Sequence, residues 1–129
     1  MTVQNFAFTK LVVGNLESMS AFYEAVCGLK RQATVDAEIG GRKITEIIYA
    51  PTARGGGNFI LLAYHDTPAP AASEVIIGFI ADDVSAFVAR ALAAGGKVYQ
   101  QARDATEHGL TVGFITDPEG HLIEVIKPL

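Results

Sequence analysis

The chain has 129 residues, half of them apolar and 19% charged, with a formal net charge of −4. This excludes a disordered chain and sets one domain, or two small modules sharing a core; the acidic balance, without a Lys/Arg cluster, argues against nucleic acid as a partner. No apolar run reaches the roughly 18–20 residues that span a bilayer, and a lone Cys27 behind a start without a basic, then apolar leader fits the cytoplasm.

Residues 6–13, rich in Phe, Leu and Val, read as a strand covered on both faces. Asn15 is placed to cap a following helix, whose Leu16, Met19, Tyr23 and Val26 form one buried stripe. Cys27 falls at the end of that stripe as a small buried hydrophobe, with no His or cation beside it in sequence to activate it. Gly28 stops the helix. Residues 29–36 and 43–50 read as strands joined around Gly40-Gly41, a strong hairpin signal. A loop at 51–57 leads to a strand at 58–64, and residues 65–74, with two prolines, form a linker between a module at about 1–64 and a second at 75–129.

The second module repeats the plan. A strand at 75–81 meets Asp82 or Asp83 as cap. A helix follows with Val84, Phe87, Val88, Ala91 and Leu92 on its buried face, and Gly95-Gly96 stops it. Strands follow at 97–103, 110–116 and 121–127, the last entered through Asp117-Pro118-Glu119-Gly120, a residue order suited to a tight turn. Phe8 and Ile76, Asn15 and Asp83, Leu16 and Val84, and Gly28 and Gly96 all stand 68 residues apart. The expected fold is therefore α+β, two tandem βαβββ modules whose mixed sheets curve into a cup.

Val13-Gly14-Asn15-Leu16 leading to Ala21-Phe22-Tyr23 and Gly28-Leu29, the Ala93-Ala94-Gly95-Gly96 stop, and Asp117-Pro118-Glu119-Gly120-His121 entering Ile123-Glu124-Val125 together resemble the vicinal oxygen chelate superfamily. That superfamily includes glyoxalase I, bleomycin-resistance proteins and extradiol dioxygenases, and its fold hosts many functions. In its metal-dependent members, the resemblance implies four ligands at the positions of Phe8, Leu61, Ile76 and Glu124. Only Glu124 of these can donate a lone pair, and Ile60, Leu62 and Ala63 beside Leu61 are no better. No metal or other cofactor is therefore expected, which counts against a metal-dependent glyoxalase or an iron dioxygenase.

Glu124 interrupts the otherwise apolar Leu122-Ile123-Glu124-Val125-Ile126. Facing a hydrocarbon cup with Phe8, Leu61 and Ile76, it is the candidate general acid or base; paired inside the core, it is only a satisfied carboxylate. Tyr99, Gln101 and Arg103 share a strand face by the two-residue rule and are candidate ligand contacts, or a solvated sheet face. His108, in a loop, is a weaker catalytic candidate, and His121 reads as a turn or packing residue. The expected function is metal-free binding of a small, largely apolar or aromatic molecule by a homodimer. Three roles stay open: a lyase or isomerase using Glu124, a sequestering protein, and a structural partner of another protein.

Overall fold

A computed structural model describes residues 2–68 and 74–129. The elements run β1 (Phe8–Val12), α1 (Leu16–Cys27), β2 (Arg31–Ile39), β3 (Arg42–Tyr49) and β4 (Asn58–Tyr64), then β5 (Ile76–Ile80), α2 (Val84–Ala93), β6 (Lys97–Ala105), β7 (Leu110–Thr116) and β8 (Leu122–Pro128). A single 3₁₀ turn at Thr106–His108 joins β6 to β7. The order βαβββ thus occurs twice. The sheets run β1-β4-β3-β2 and β5-β8-β7-β6, each with its first strand parallel to its last and antiparallel pairing elsewhere. Of the expected linker 65–74, residues 69–73 lie outside the described residues.

The chain divides into two compact units. One holds the described residues of Met1–Ser20 and Leu29–Pro70, the other Ala21–Gly28 with those of Ala71–Leu129. The boundary runs through α1, whose later turns cluster with the second half of the chain rather than with the strands that flank them in sequence.

In the first unit, Asn15 Oδ1 accepts the Ser18 N–H at 2.9 Å and caps α1. Ile39 pairs with Arg42 across Gly40 and Gly41, whose φ values of 57° and 79° make the two-residue left-handed turn that matches strand twist. Leu11, Leu61 and Ile47 stand in register across β1, β4 and β3 and are buried with Tyr49. Arg31, which pairs with Tyr49, donates to Ser20 Oγ at 3.0 Å, so this is the helix-side face. The opposite face, open only where Phe8 and Lys10 stand on β1, carries Phe8, Lys10 and Val12, then Asn58, Ile60 and Leu62, then Ile48, Glu46 and Ile44; Ile60, Leu62, Glu46 and Ile44 on it are buried. The expectation that residues 6–13 are covered on both faces fails. Phe8, Thr9 and Lys10 are exposed because β1 is an edge strand with one partner, and within it only Leu11 is buried.

In the second unit Asp83, not Asp82, is the cap, with Oδ1 accepting the Ala86 N–H at 2.9 Å. Val84, Phe87, Val88 and Ala91 are buried on α2. Leu92, expected in that stripe, is 58% exposed, because one step beyond Ala91 rotates it by about 100° around the axis. A Cβ at Gly113 would meet Val84 Cγ1 and Val88 Cγ2 at 3.2 Å, so the helix lies close on the face bearing Gly113, Ile115, Ile123 and Val125. From α1, Phe22, Tyr23 and Val26 are buried in this unit; Phe22 was missed by the expected stripe.

The repeat extends to side chains. Thr45 Oγ1 donates to Asp36 across β2–β3 at 2.6 Å, and Thr111 Oγ1 donates to Asp104 across β6–β7 at 2.8 Å. Asp36 and Asp104 keep the 68-residue offset.

Candidate functional site

Strand alternation leaves one face of the second sheet free of α2, and Glu124 sits on it. Glu124 stands beside Gly78 on β5 and Phe114 on β7. Ile76 and Ile80 of β5, 57% and 75% exposed, share that face with half-buried Leu122 and Ile126. Glu124 is itself half-buried. Gly78, without a side chain, stands on one flank and the Phe114 ring on the other, so Glu124 sits in a mostly hydrocarbon surface.

The other proposed positions fall less simply. Phe8, 53% exposed, is on the open face of the first sheet, but Leu61 is not. Phe8 pairs with Asn58, so Ile60 and Leu62 share its face, whereas Leu61 points to the helix side and is fully buried. By register, Ile60 holds in the first sheet the place that Glu124 holds in the second, since Ile60 pairs with Lys10 and Ile48 as Glu124 pairs with Gly78 and Phe114.

Tyr99, Gln101 and Arg103 do not form a regular stripe. Two register shifts interrupt β6, and Gln100 and Arg103 are the residues that pair with Phe114 and Val112. The Tyr99 ring lies edge-on to Phe114 at 6.5 Å between centroids. Arg103 meets Glu107 at 3.4 Å, both exposed. His108 is exposed in the 3₁₀ turn.

Polar features that sequence reasoning did not assemble lie elsewhere. Glu46, 7% exposed, shares the face of Lys10 in the first sheet, beside buried Leu62, with Oε2 2.9 Å from Lys10 Nζ. The distance is that of an ion pair, yet Oε2 makes no aligned hydrogen bond. In sequence the signal is weaker than for Glu124, because Lys43 and Thr45 break the apolar run in Lys43-Ile44-Thr45-Glu46-Ile47-Ile48.

In the second unit, buried Asp117 organises the turn before β8. Its Oδ1 accepts the N–H groups of Glu119 and His121 at 2.9 and 3.0 Å. Its Oδ2 lies 2.7 Å from the Tyr23 hydroxyl, which donates to it, and 2.7 Å from His121 Nδ1. Burial and the Asp117 charge push the Tyr23 hydroxyl well above its ordinary range, so it stays a donor. His121 is thus a packing residue with a definite partner.

A cavity of about 310 Å³ in the second unit is lined by Val26, Cys27, Phe79, Ala81, Asp82 and Arg90 among others, and of the residues that share the Glu124 face only Ile80 lines it. Burial pushes the Cys27 thiol up to about 12, with Arg90 pulling the other way.

The donor set does not fit a divalent ion. Phe8, Ile76 and either Leu61 or Ile60 offer hydrocarbon, leaving Glu124 alone. Among the described residues no three His, Cys, Asp or Glu side chains are grouped to share a metal. Among them, too, no helix is long and apolar enough to cross a membrane.

The sequence profile of the Glyoxalase/Bleomycin resistance protein/Dioxygenase superfamily matches residues 5–125, and the chain belongs to that superfamily. It is 32% identical over 109 residues to proteins of Mycobacterium tuberculosis and Mycobacterium bovis named "Putative glyoxylase CFP32". That match takes in 84% of this chain and only 38% of those relatives. A glyoxalase family protein from Bacillus cereus shares the fold with a TM-score of 0.82 at 18% identity, over 100% of this chain and 97% of that one. A glyoxalase/bleomycin resistance protein from Albidiferax ferrireducens matches with a TM-score of 0.68 at 25% identity, over 95% and 98% of the two chains.

Proposed function

We propose that this chain holds a small, largely apolar or aromatic molecule on the open sheet faces, without a metal ion, and that Glu124 meets the polar atom of that molecule. One observation carries the reading: a lone half-buried carboxylate is set among Ile76, Ile80, Leu122, Ile126 and Phe114, with only Gly78 on its β5 flank. Apolar lining with few polar groups is the usual composition of a small-molecule site. As a base or acid, Glu124 would move one proton on the bound molecule, the chemistry of a metal-free lyase or isomerase. A sequestering role is favoured by Gly78 and Phe114, which offer Glu124 no second titrating group in its own register row. Exposed apolar residues outside that lining, such as Leu92, would be covered in a homodimer, and the single cysteine suits the cytoplasm.

A thermal-shift screen of aromatic and carbonyl compounds supplies a ligand, and Glu124→Gln then discriminates the roles. For an acid–base catalyst, turnover falls by roughly two to four orders of magnitude with affinity little changed. For a sequestering anchor, affinity falls and neither protein yields product. Equal affinity and equal turnover in both proteins would remove Glu124 from the site.

A further inference from the structure

The Lys10–Glu46 pair is not something the fold requires. In the second sheet the equivalent register positions are Gly78 and Val112, and that sheet forms the same four-stranded order without a charge at either place. Burying an ion pair is commonly no better for stability than well-packed apolar residues at the same sites. Here the carboxylate is nine-tenths buried and its Oε2, though against Nζ, lacks an aligned hydrogen bond, so stability gives little reason for the pair.

The arrangement makes chemical sense as a presented donor. Lys10 keeps 31% of its side chain exposed, and Nζ lies 5.6 Å from the centroid of the exposed Phe8 ring on the same open face. An ammonium has three N–H donors. Glu46 restrains the group and compensates its charge, leaving donors to spare beside an apolar platform.

We infer that Lys10, held by Glu46 and flanked by Phe8, is a ligand-binding donor for the neutral acceptor oxygen of a carbonyl compound with an apolar body. A neutral oxygen fits better than a carboxylate, because a second full negative charge on Nζ would face Glu46 across it. Lys10 is the contact residue and Glu46 the positioning residue. The inference rests on the reading of the open faces as ligand surfaces and adds to it the class of polar group bound at the first sheet.

The test measures binding of acetophenone, ethylbenzene and benzoate to the whole chain by ligand-observed NMR titration. Ethylbenzene has a similar shape without the oxygen, and benzoate carries the full charge. The expected order is acetophenone tightest, with Lys10→Met weakening it roughly 10-fold and leaving ethylbenzene unchanged. Glu46→Gln should lower the acetophenone-to-ethylbenzene affinity ratio, a quantity that a general loss of structure would not change selectively. Lys10→Met/Glu46→Val, which removes both charges, should keep its melting temperature and ethylbenzene binding while losing the preference for acetophenone. Ethylbenzene binding with no acetophenone preference, benzoate binding tightest, or a ratio unmoved by Lys10→Met overturns this inference alone. No saturable binding of any probe overturns it together with the open-face reading.

Discussion

Arg90 Nε donates to the Val26 carbonyl at 3.3 Å, which brings a guanidinium close to Cys27 although the two are far apart in sequence. Its attraction for a thiolate does not offset burial, and the thiol is held up to about 12. Between the ordinary value of 9.0 and about 12, an unfolded chain releases a proton that the native chain keeps. The group's contribution to stability is therefore complete below about pH 9 and is lost as pH rises through that window. At pH 8 a disulfide reagent should label native Cys27 slower, by on the order of 100-fold, than the urea-unfolded chain, since the thiolate is the nucleophile. Matching rates in a stopped-flow thiol titration would show an open, activated cysteine instead. The place of Cys27 at the end of α1 was legible, but it is half-buried where full burial was expected, and the cation beside it was not legible. Glu46 is the contrasting case: Thr45 and Lys43 beside it mask its burial in the sequence, and its contact with Lys10 depends on the parallel β1–β4 pairing.

At the scale of elements, caps and turns follow local rules and were readable in order. Asn15 and Asp83 each accept one backbone N–H at 2.9 Å from three residues on. Asn15→Ala and Asp83→Ala should each cost about 1 kcal/mol in urea unfolding. Wild-type stability in either variant would mean that the helix start is held by something other than its cap. Face assignments were less secure. Leu61 was placed with Phe8, but in a sheet an error of one residue moves a side chain to the opposite face. In β6 the two-residue rule fails outright, because two bulges each insert a residue and leave Tyr99, Gln101 and Arg103 out of a common row. Nothing in Tyr99-Gln100-Gln101-Ala102-Arg103 signals those bulges, since they are set by the pairing with β7.

For the whole molecule, the question is what covers the exposed apolar residues. Phe8 in the first unit, and Ile76 and Ile80 in the second, are exposed on sheet faces, and exposed apolar surface tends to mark an interaction site. A second copy of the chain, bordering the bound molecule, is the expected partner. Light scattering at micromolar concentration should give about twice the 13.7 kDa chain mass. A monomer at that concentration would overturn the expected homodimer.

The amino-acid order by itself determined the two βαβββ modules, the Asn15 cap, the second cap to within Asp82 or Asp83, the Gly40–Gly41 hairpin, the turn before β8 and the superfamily. Each of these depends on residues within a few positions of one another, or on a pattern repeated along the chain. Only the tertiary structure decided that α1 is shared between two compact units, that Ile60 rather than Leu61 matches Glu124, that Asp117 gathers Tyr23 and His121, and that Lys10 stands against Glu46. These are matters of strand register and long-range pairing, for which one chain offers several near-equivalent choices until burial of one face selects among them.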